Sequence, residues 1–145
     1  MATLTCQIVR PDKLLYEGQA EHIVLISHTG ELGVWPGHAS EICALGAGVM
    51  RLTQPVEEGG GVLYYVTSGG YAEIDNDLVV ILADHAREIN DIDVETVERT
   101  RNKAQAAHDA LDAEDHRRLY YENKIAWCDL LLKHAPTGDK KQTGE

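Results

Sequence analysis

The chain has 145 residues, of which 43% are hydrophobic, and a formal net charge of −11. That length suffices for one ordinary domain or two small ones, and the acidic balance excludes general nucleic-acid binding, which needs a basic footprint. No apolar run approaches the roughly 20 residues of a membrane span, and Met1-Ala2-Thr3 lacks the basic and apolar parts of a signal peptide. The three cysteines, Cys6, Cys43 and Cys128, are odd in number and far apart. They read as buried thiols of a reducing compartment rather than a disulfide framework. With no Phe, aliphatic side chains and six tyrosines are left to fill a core.

The first 83 residues read as short strands. Leu4, Cys6 and Ile8 alternate with Thr5, Gln7 and Val9, the period-2 pattern of a half-buried strand. Lys13 to Tyr16 is a second short run, and in the third Ala20, His22, Val24 and Ile26 share one face with Glu21, Ile23 and Leu25 on the other. Gly30 to Ala39 holds three glycines, a proline and an acid, and predicts an ordered, bent loop presenting Glu31 and Leu32, with Gly30, Gly33 and Gly37 in backbone conformations open to glycine. Further strands are expected at Ile42 to Leu45, Val49 to Leu52, Val62 to Thr67 and Leu78 to Leu82. The clusters Glu57 to Gly61, Ser68-Gly69-Gly70 and Asp75-Asn76-Asp77 separate them as turns. Close-spaced short strands with Gly- and Asn-rich turns predict a sandwich or barrel.

The period then changes from 2 to about 3.6 near Arg87 to Asp91. No Gly or Pro follows until Pro136, and Asp91 or Asp93 can cap a helix start. Val97, Thr100, Ala104, Ala107 and Leu111 form a narrow apolar seam. Leu119, Asn123, Ala126 and Leu130 repeat the spacing, with Tyr120, Trp127 and Leu131 beside them. The short run Asp112 to His116 between them makes the two helices an antiparallel hairpin. The expected organisation is a β-sandwich over residues 1–88, a helical hairpin over 89–135 and a disordered polar tail over 136–145.

In that frame the Gly30 to Ala39 run resembles the signature loop of the epsilon subunit of F-type ATP synthases, the delta subunit of mitochondria. Tyr16-Glu17-Gly18 resembles the early hairpin of that family, Ser68-Gly69-Gly70-Tyr71-Ala72-Glu73-Ile74 its S-G-G-x-x-E-V hairpin, and Val80 to Ala86 its V-L-A-D-x-A exit from the sandwich. The match runs in order over residues 4–135. It implies a non-catalytic subunit of the central stalk, peripheral on the cytoplasmic face of the bacterial plasma membrane. Its implied partners are the gamma subunit, the membrane rotor c-ring and, through the hairpin, the alpha/beta catalytic head. The resemblance assigns the ring contact to Gly30, Glu31, Leu32, Gly33 and His38, and a contact with acidic beta-subunit loops to Arg117, Arg118 and Lys124. A solvated loop acid and solvated helix faces are the plain alternatives for Glu31 and for the basic side chains. Ser40-Glu41 and Gly46-Ala47-Gly48 depart from the family pattern close to surface used against neighbouring subunits.

Some members bind ATP in the hairpin through an I/L-D-x-x-R-A motif. Here Ile92-Asp93 keeps its first two positions, but Thr96-Val97 stands where Arg-Ala is expected. Arginine is the side chain best suited to grip phosphate, so the substitution speaks against nucleotide binding, and no cofactor is expected. Seven histidines show no metal-ligand spacing, and His38 reads as a structural hydrogen-bonder. Gly59-Gly60-Gly61 is followed by no Gly-Lys-Ser/Thr, and no Gly-x-Ser-x-Gly elbow occurs, so neither a P-loop nor a hydrolase nucleophile is present. The alternatives to a stalk subunit are a standalone ligand-binding sandwich with a helical appendage and a hydrolase or metal enzyme.

Overall fold

The computed structural model describes residues 2–136. Eight strands come first: β1 (Leu4–Arg10), β2 (Lys13–Ala20), β3 (His22–Ser27), β4 (Gly30–Val34), β5 (Glu41–Ala44), β6 (Gly48–Thr53), β7 (Val62–Asp75) and β8 (Leu78–Glu88). Two helices follow, α1 (Val94–Asp109) and α2 (Arg117–His134). The chain divides into two compact units between Glu88 and Ile89. The expected disordered tail lies, beyond Pro136, outside the described residues.

The first unit is the predicted β-sandwich. Its strands run in the order β2-β1-β8-β7-β6-β3-β4, with β5 added on β7. The order hides two layers, because β7 changes neighbours along its length. Val62 to Thr67 pairs with β6, whereas Tyr71 to Ile74 pairs with β5. β8 follows β7 antiparallel from Tyr65↔Glu88 to Asp75↔Leu78, and its first residues lie parallel to β1. One layer is therefore β2-β1-β8-β7-β5 and the other β4-β3-β6-β7.

Between the layers sits one aliphatic core. Leu4, Cys6, Ile8, Ile74, Val79 and Ile81 meet Ile23, Leu25, Val34, Met50 and Leu52. The alternation expected for β1 is realised, with Leu4, Cys6 and Ile8 all at 0% exposure. Burial pushes the Cys6 thiol up to about 12, so it stays a neutral apolar group. The tyrosines fill less of the core than expected. Tyr65 is 5% exposed, but Tyr64, Tyr71 and Tyr120 are exposed. Ile, Leu, Val and Met supply the bulk, with Tyr65 inside the core and Tyr16 packed against it.

Two local expectations change. Ser68-Gly69-Gly70 is no turn between strands but a kink inside β7. Gly69 and Gly70 have φ of +74° and +94°, and a Cβ on Gly70 would stand 2.0 Å from the Leu82 carbonyl oxygen. Glycine is needed there because the strand crosses between layers while staying paired with β8. The start of the predicted loop, Gly30 to Val34, is strand β4, paired with β3 from Ile23↔Val34 to Ser27↔Gly30. β3 buries consecutive residues, Ile23, Val24 and Leu25, so it is apolar on both faces, as the order of its residues indicates.

The second unit is the predicted hairpin. Arg101 of α1 forms an ion pair with Asp129 of α2, and His108 meets Glu122 at 3.0 Å. Seven residues forward on one helix match seven back on the other, the register of an antiparallel pair. Val97 and Ala104 are buried on α1, as its seam predicts. On α2 the seam is rotated from the expected one. Cys128 and Leu131 are buried, with Ile125, Tyr121 and Arg118 half-buried about one, two and three turns before Cys128. Leu119 and Tyr120 are 61% and 60% exposed, and Asn123 and Ala126 are exposed as well. The error has a physical cause. α2 carries apolar groups on two faces, and hydropathy alone does not weigh a cysteine or an arginine stem as packing surface.

Candidate functional site

The first candidate surface is built by the β3–β4 hairpin and the segment after it. The turn is His28-Thr29, where the Thr29 N–H donates to Ser27 Oγ at 3.2 Å and Ser27 Oγ donates to the Gly30 carbonyl at 2.8 Å. Gly30 has φ +128°, a conformation that favours glycine. Glu31 lies exposed opposite Ile26 and accepts a hydrogen bond from Arg51 Nη1 at 3.3 Å. Leu32, opposite Leu25, is half-buried against the core. The expectation that the two residues are presented together is thus corrected: neighbours on a strand point to opposite faces. Glu31 is outward and Leu32 inward.

Gly33 serves a purpose other than the expected backbone freedom. Its φ is not positive, and a Cβ there would lie 2.3 Å from Cζ3 of Trp35. The missing side chain seats the indole, which stacks on His22 with ring centroids 4.9 Å apart and planes 9° from parallel. Trp35 is nonetheless 54% exposed. Pro36 and Gly37, the latter with φ +86°, then close a turn in which the His38 N–H donates to the Trp35 carbonyl at 3.1 Å. The Gly37 N–H donates to Asp77 Oδ1 at 2.7 Å, and Ser40 Oγ donates to Asp75 Oδ1 at 3.1 Å. These bonds tie the segment to the β7–β8 turn, where Asn76 and Asp77 both have positive φ. His38 is the structural hydrogen-bonder expected, with Nδ1 2.7 Å from the Ala39 carbonyl and Nε2 3.9 Å from Glu41.

The basic residues of the hairpin have separate roles. Arg118 Nη1 donates to the carbonyls of His108 and Leu111, at 3.2 and 2.9 Å. It thereby satisfies the Leu111 carbonyl and gives the His108 carbonyl a second donor beside the Leu111 N–H. Arg117 grips Asp115, its Nη2 at 2.7 Å from Oδ2 and its backbone N–H at 2.9 Å from Oδ1. The guanidinium, then the N–H, hold the Asp115 carboxyl down at about 2. Lys124 lies over the Tyr120 ring at 5.7 Å. Of the three cations, Arg117 and Lys124 remain outward-facing, and Arg118 is spent on the turn.

At the start of α1, Asp93 occupies the N-cap position and accepts from Thr96 Oγ1 at 2.7 Å. That hydroxyl is the first cause holding the Asp93 carboxyl below its ordinary value. Arg99 Nη2 reaches the same hydroxyl at 3.4 Å, and the Ile92 side chain is 3% exposed. Of the two residues of the nucleotide motif, Asp93 is therefore engaged with the Thr96 hydroxyl and Ile92 is buried. Among the described residues no group of three or more His, Cys, Asp or Glu could hold a metal ion. Also among them, no helix is long and apolar enough to cross a membrane.

Three features escaped the sequence reading: the Trp35–His22 stack, the Arg118 cap and the His108 bridge. The last had a signal. Arg101 and His108 are seven apart on one helix and Glu122 and Asp129 seven apart on the other, a heptad of opposite charges.

A two-layer sandwich joined to a helical hairpin, with its candidate side chains arrayed on outer surfaces, is the architecture to set beside known proteins. The family profile described as the β-sandwich domain of the ATP synthase Delta/Epsilon chain matches residues 3–89. An ATP synthase epsilon chain of Gloeothece citriformis is 35% identical over 125 residues, covering 86% of this chain and 88% of the relative. One from Microcystis aeruginosa is 30% identical and covers 94% and 96%. Among solved structures, a chain of the Euglena gracilis mitochondrial ATP synthase, determined as OSCP/F1/c-ring in rotational state 1, superposes with a TM-score of 0.66. It is 25% identical and covers 90% of this chain and 80% of that one. A chain of the Tetrahymena thermophila mitochondrial ATP synthase central stalk and c-ring shares the fold, with a TM-score of 0.52 at 13% identity. The chain belongs to the delta/epsilon family of ATP synthase subunits. It is a non-catalytic subunit of that membrane-associated complex, and the standalone and hydrolase readings fall away.

Proposed function

We propose that this chain links the gamma subunit to the membrane rotor c-ring and that its hairpin restrains ATP hydrolysis by the alpha/beta head. On this reading the sandwich is the coupling element, at the cytoplasmic face of the bacterial plasma membrane. Glu31 contacts the polar loops of the ring. Arg117 and Lys124, which face outward where Arg118 does not, meet acidic surface of the catalytic subunits. ATP is not a ligand of the hairpin, since Thr96 stands where the motif has arginine.

The observation that carries the regulatory half is the hairpin's own packing. It is a compact unit by itself, and its buried side chains are few and small on α1, Val97 and Ala104. Isolated helices of this length are marginal in water, and weakly packed elements are those that open. The test is ATP hydrolysis by membranes carrying either the full chain or one ending after Asp91. With equal assembly, hydrolysis rises severalfold on truncation while synthesis changes less. An unchanged hydrolysis rate removes the inhibitory role.

A further inference from the structure

His108 sits near the closed end of the hairpin with a carboxylate at each ring nitrogen. Nδ1 is 3.0 Å from Asp109 Oδ1 on its own helix, and Nε2 is 3.0 Å from Glu122 Oε2 on α2. The imidazole is 13% exposed, while the two acids are 63% and 54% exposed. A neutral imidazole has one N–H and one lone pair. It can donate to one carboxylate only, and its bare nitrogen then faces the oxygen lone pairs of the other. The imidazolium donates to both. We propose that His108 is a proton-operated clasp between α1 and α2, closed when the ring is protonated and slack when the proton leaves.

The charges around it decide the sign. From α1 it faces Asp109, itself held by Gln105 Nε2 at 3.0 Å. From α2 it faces Glu122 and Arg118, whose guanidinium bonds the His108 carbonyl. The hydrogen bond to Asp109, followed by that to Glu122, raises the imidazole above its ordinary 6.5, against partial burial and the Arg118 charge. A group whose folded-state affinity for the proton is raised stabilises fully below its unfolded value and loses that contribution as pH climbs through the folded one. The clasp therefore holds on the acid side of neutrality and slackens toward alkaline pH. Asp109 is lowered, by His108 first and Gln105 second, and stays ionised throughout. The Arg101–Asp129 pair lies further from the turn, and the hydrogen bond to Asp129 holds the Arg101 guanidinium above its ordinary value, so that cation keeps its proton. The effect is local to the turn end of the hairpin. It concerns the hairpin's own closure and does not depend on the role proposed for it in hydrolysis.

The full chain tests this by NMR, with the His108 ring protons titrated and amide exchange followed from about pH 6 to 9. The expected His108 midpoint lies above the ordinary imidazole value and falls in Glu122→Gln. Opening constants for amides on either side of the turn should rise with pH. The factor is the ratio of the proton dissociation constants of His108 in the open and closed hairpin. Amides around Arg101 change less. Should Glu122→Gln disturb folding, the wild-type titration and exchange decide alone. A midpoint at or below the ordinary value, or opening constants independent of pH, overturns the clasp.

Discussion

At the scale of single residues, the glycines of this chain do three different things. Gly30 and Gly37 supply positive φ at turns, Gly33 clears space for an indole, and Gly70 does both at once. At Gly70 the backbone has φ +94° and a Cβ would overlap the Leu82 carbonyl and crowd the Ala83 Cα. Neither neighbour is a flexible side-chain tip, since both belong to the backbone of β8. Gly70→Ala is therefore expected to cost about 3 kcal/mol or more, read as a lower urea midpoint with an unchanged slope. Gly33 is the contrasting case, because the atom in the way is a ring that can swing. The sequence calls for backbone freedom at Gly30, Gly33 and Gly37; Gly30 and Gly37 use it, whereas the space cleared at Gly33 and the kink at Gly70 were not legible. A glycine needed for φ and a glycine needed for space look the same until the neighbour is known.

At the scale of elements, the legible parts were those with one buried face. β1 and α1 read correctly because each alternates or repeats against a single core. The expected strand stops at Thr67 since a Gly-Gly pair ordinarily ends one, and only pairing along the whole of β8 reveals a continuous, kinked strand. β4 was read as a loop because two of its five residues are glycine and its inward contacts come from Leu32 and Val34 alone. α2 shows the ambiguity best. Two apolar stripes compete, and the one that wins carries Cys128 and Leu131, leaving Leu119 and Tyr120 to solvent. A paired experiment checks this phase. Leu131→Ala should destabilise the hairpin by about 2–4 kcal/mol, the usual range for truncating a buried leucine. Leu119→Ser and Tyr120→Ser should each stay within about 0.5 kcal/mol, as exposed substitutions do. Helical circular dichroism during thermal unfolding reads both, and the reverse order would restore the seam expected from the sequence.

At the scale of the whole molecule, the charge is unequally divided, −8 over residues 1–89 and −3 over 90–145. The sandwich is thus suited to a basic neighbour, and Glu31 is where the family resemblance aims that charge. Yet Glu31 already has a partner in Arg51 at 3.3 Å, with the two side chains 59% and 41% exposed. A lost phenotype in Glu31→Lys could therefore report a broken internal pair rather than a broken subunit contact. Energetics favour the second reading, since an exposed pair of this kind contributes under about 1 kcal/mol. The double variant Glu31→Lys with Arg51→Glu separates them, for it restores the internal pair with its polarity reversed and leaves net charge unchanged. If Glu31 serves the ring, both variants fold normally, and both show weakened ATP-driven proton pumping in membranes. Lowering the salt should strengthen pumping only in the wild type, because attraction between opposite charges is what low ionic strength amplifies. Recovery of pumping in the double variant would assign Glu31 to Arg51 alone, and the ring contact would have to be sought elsewhere on the sandwich.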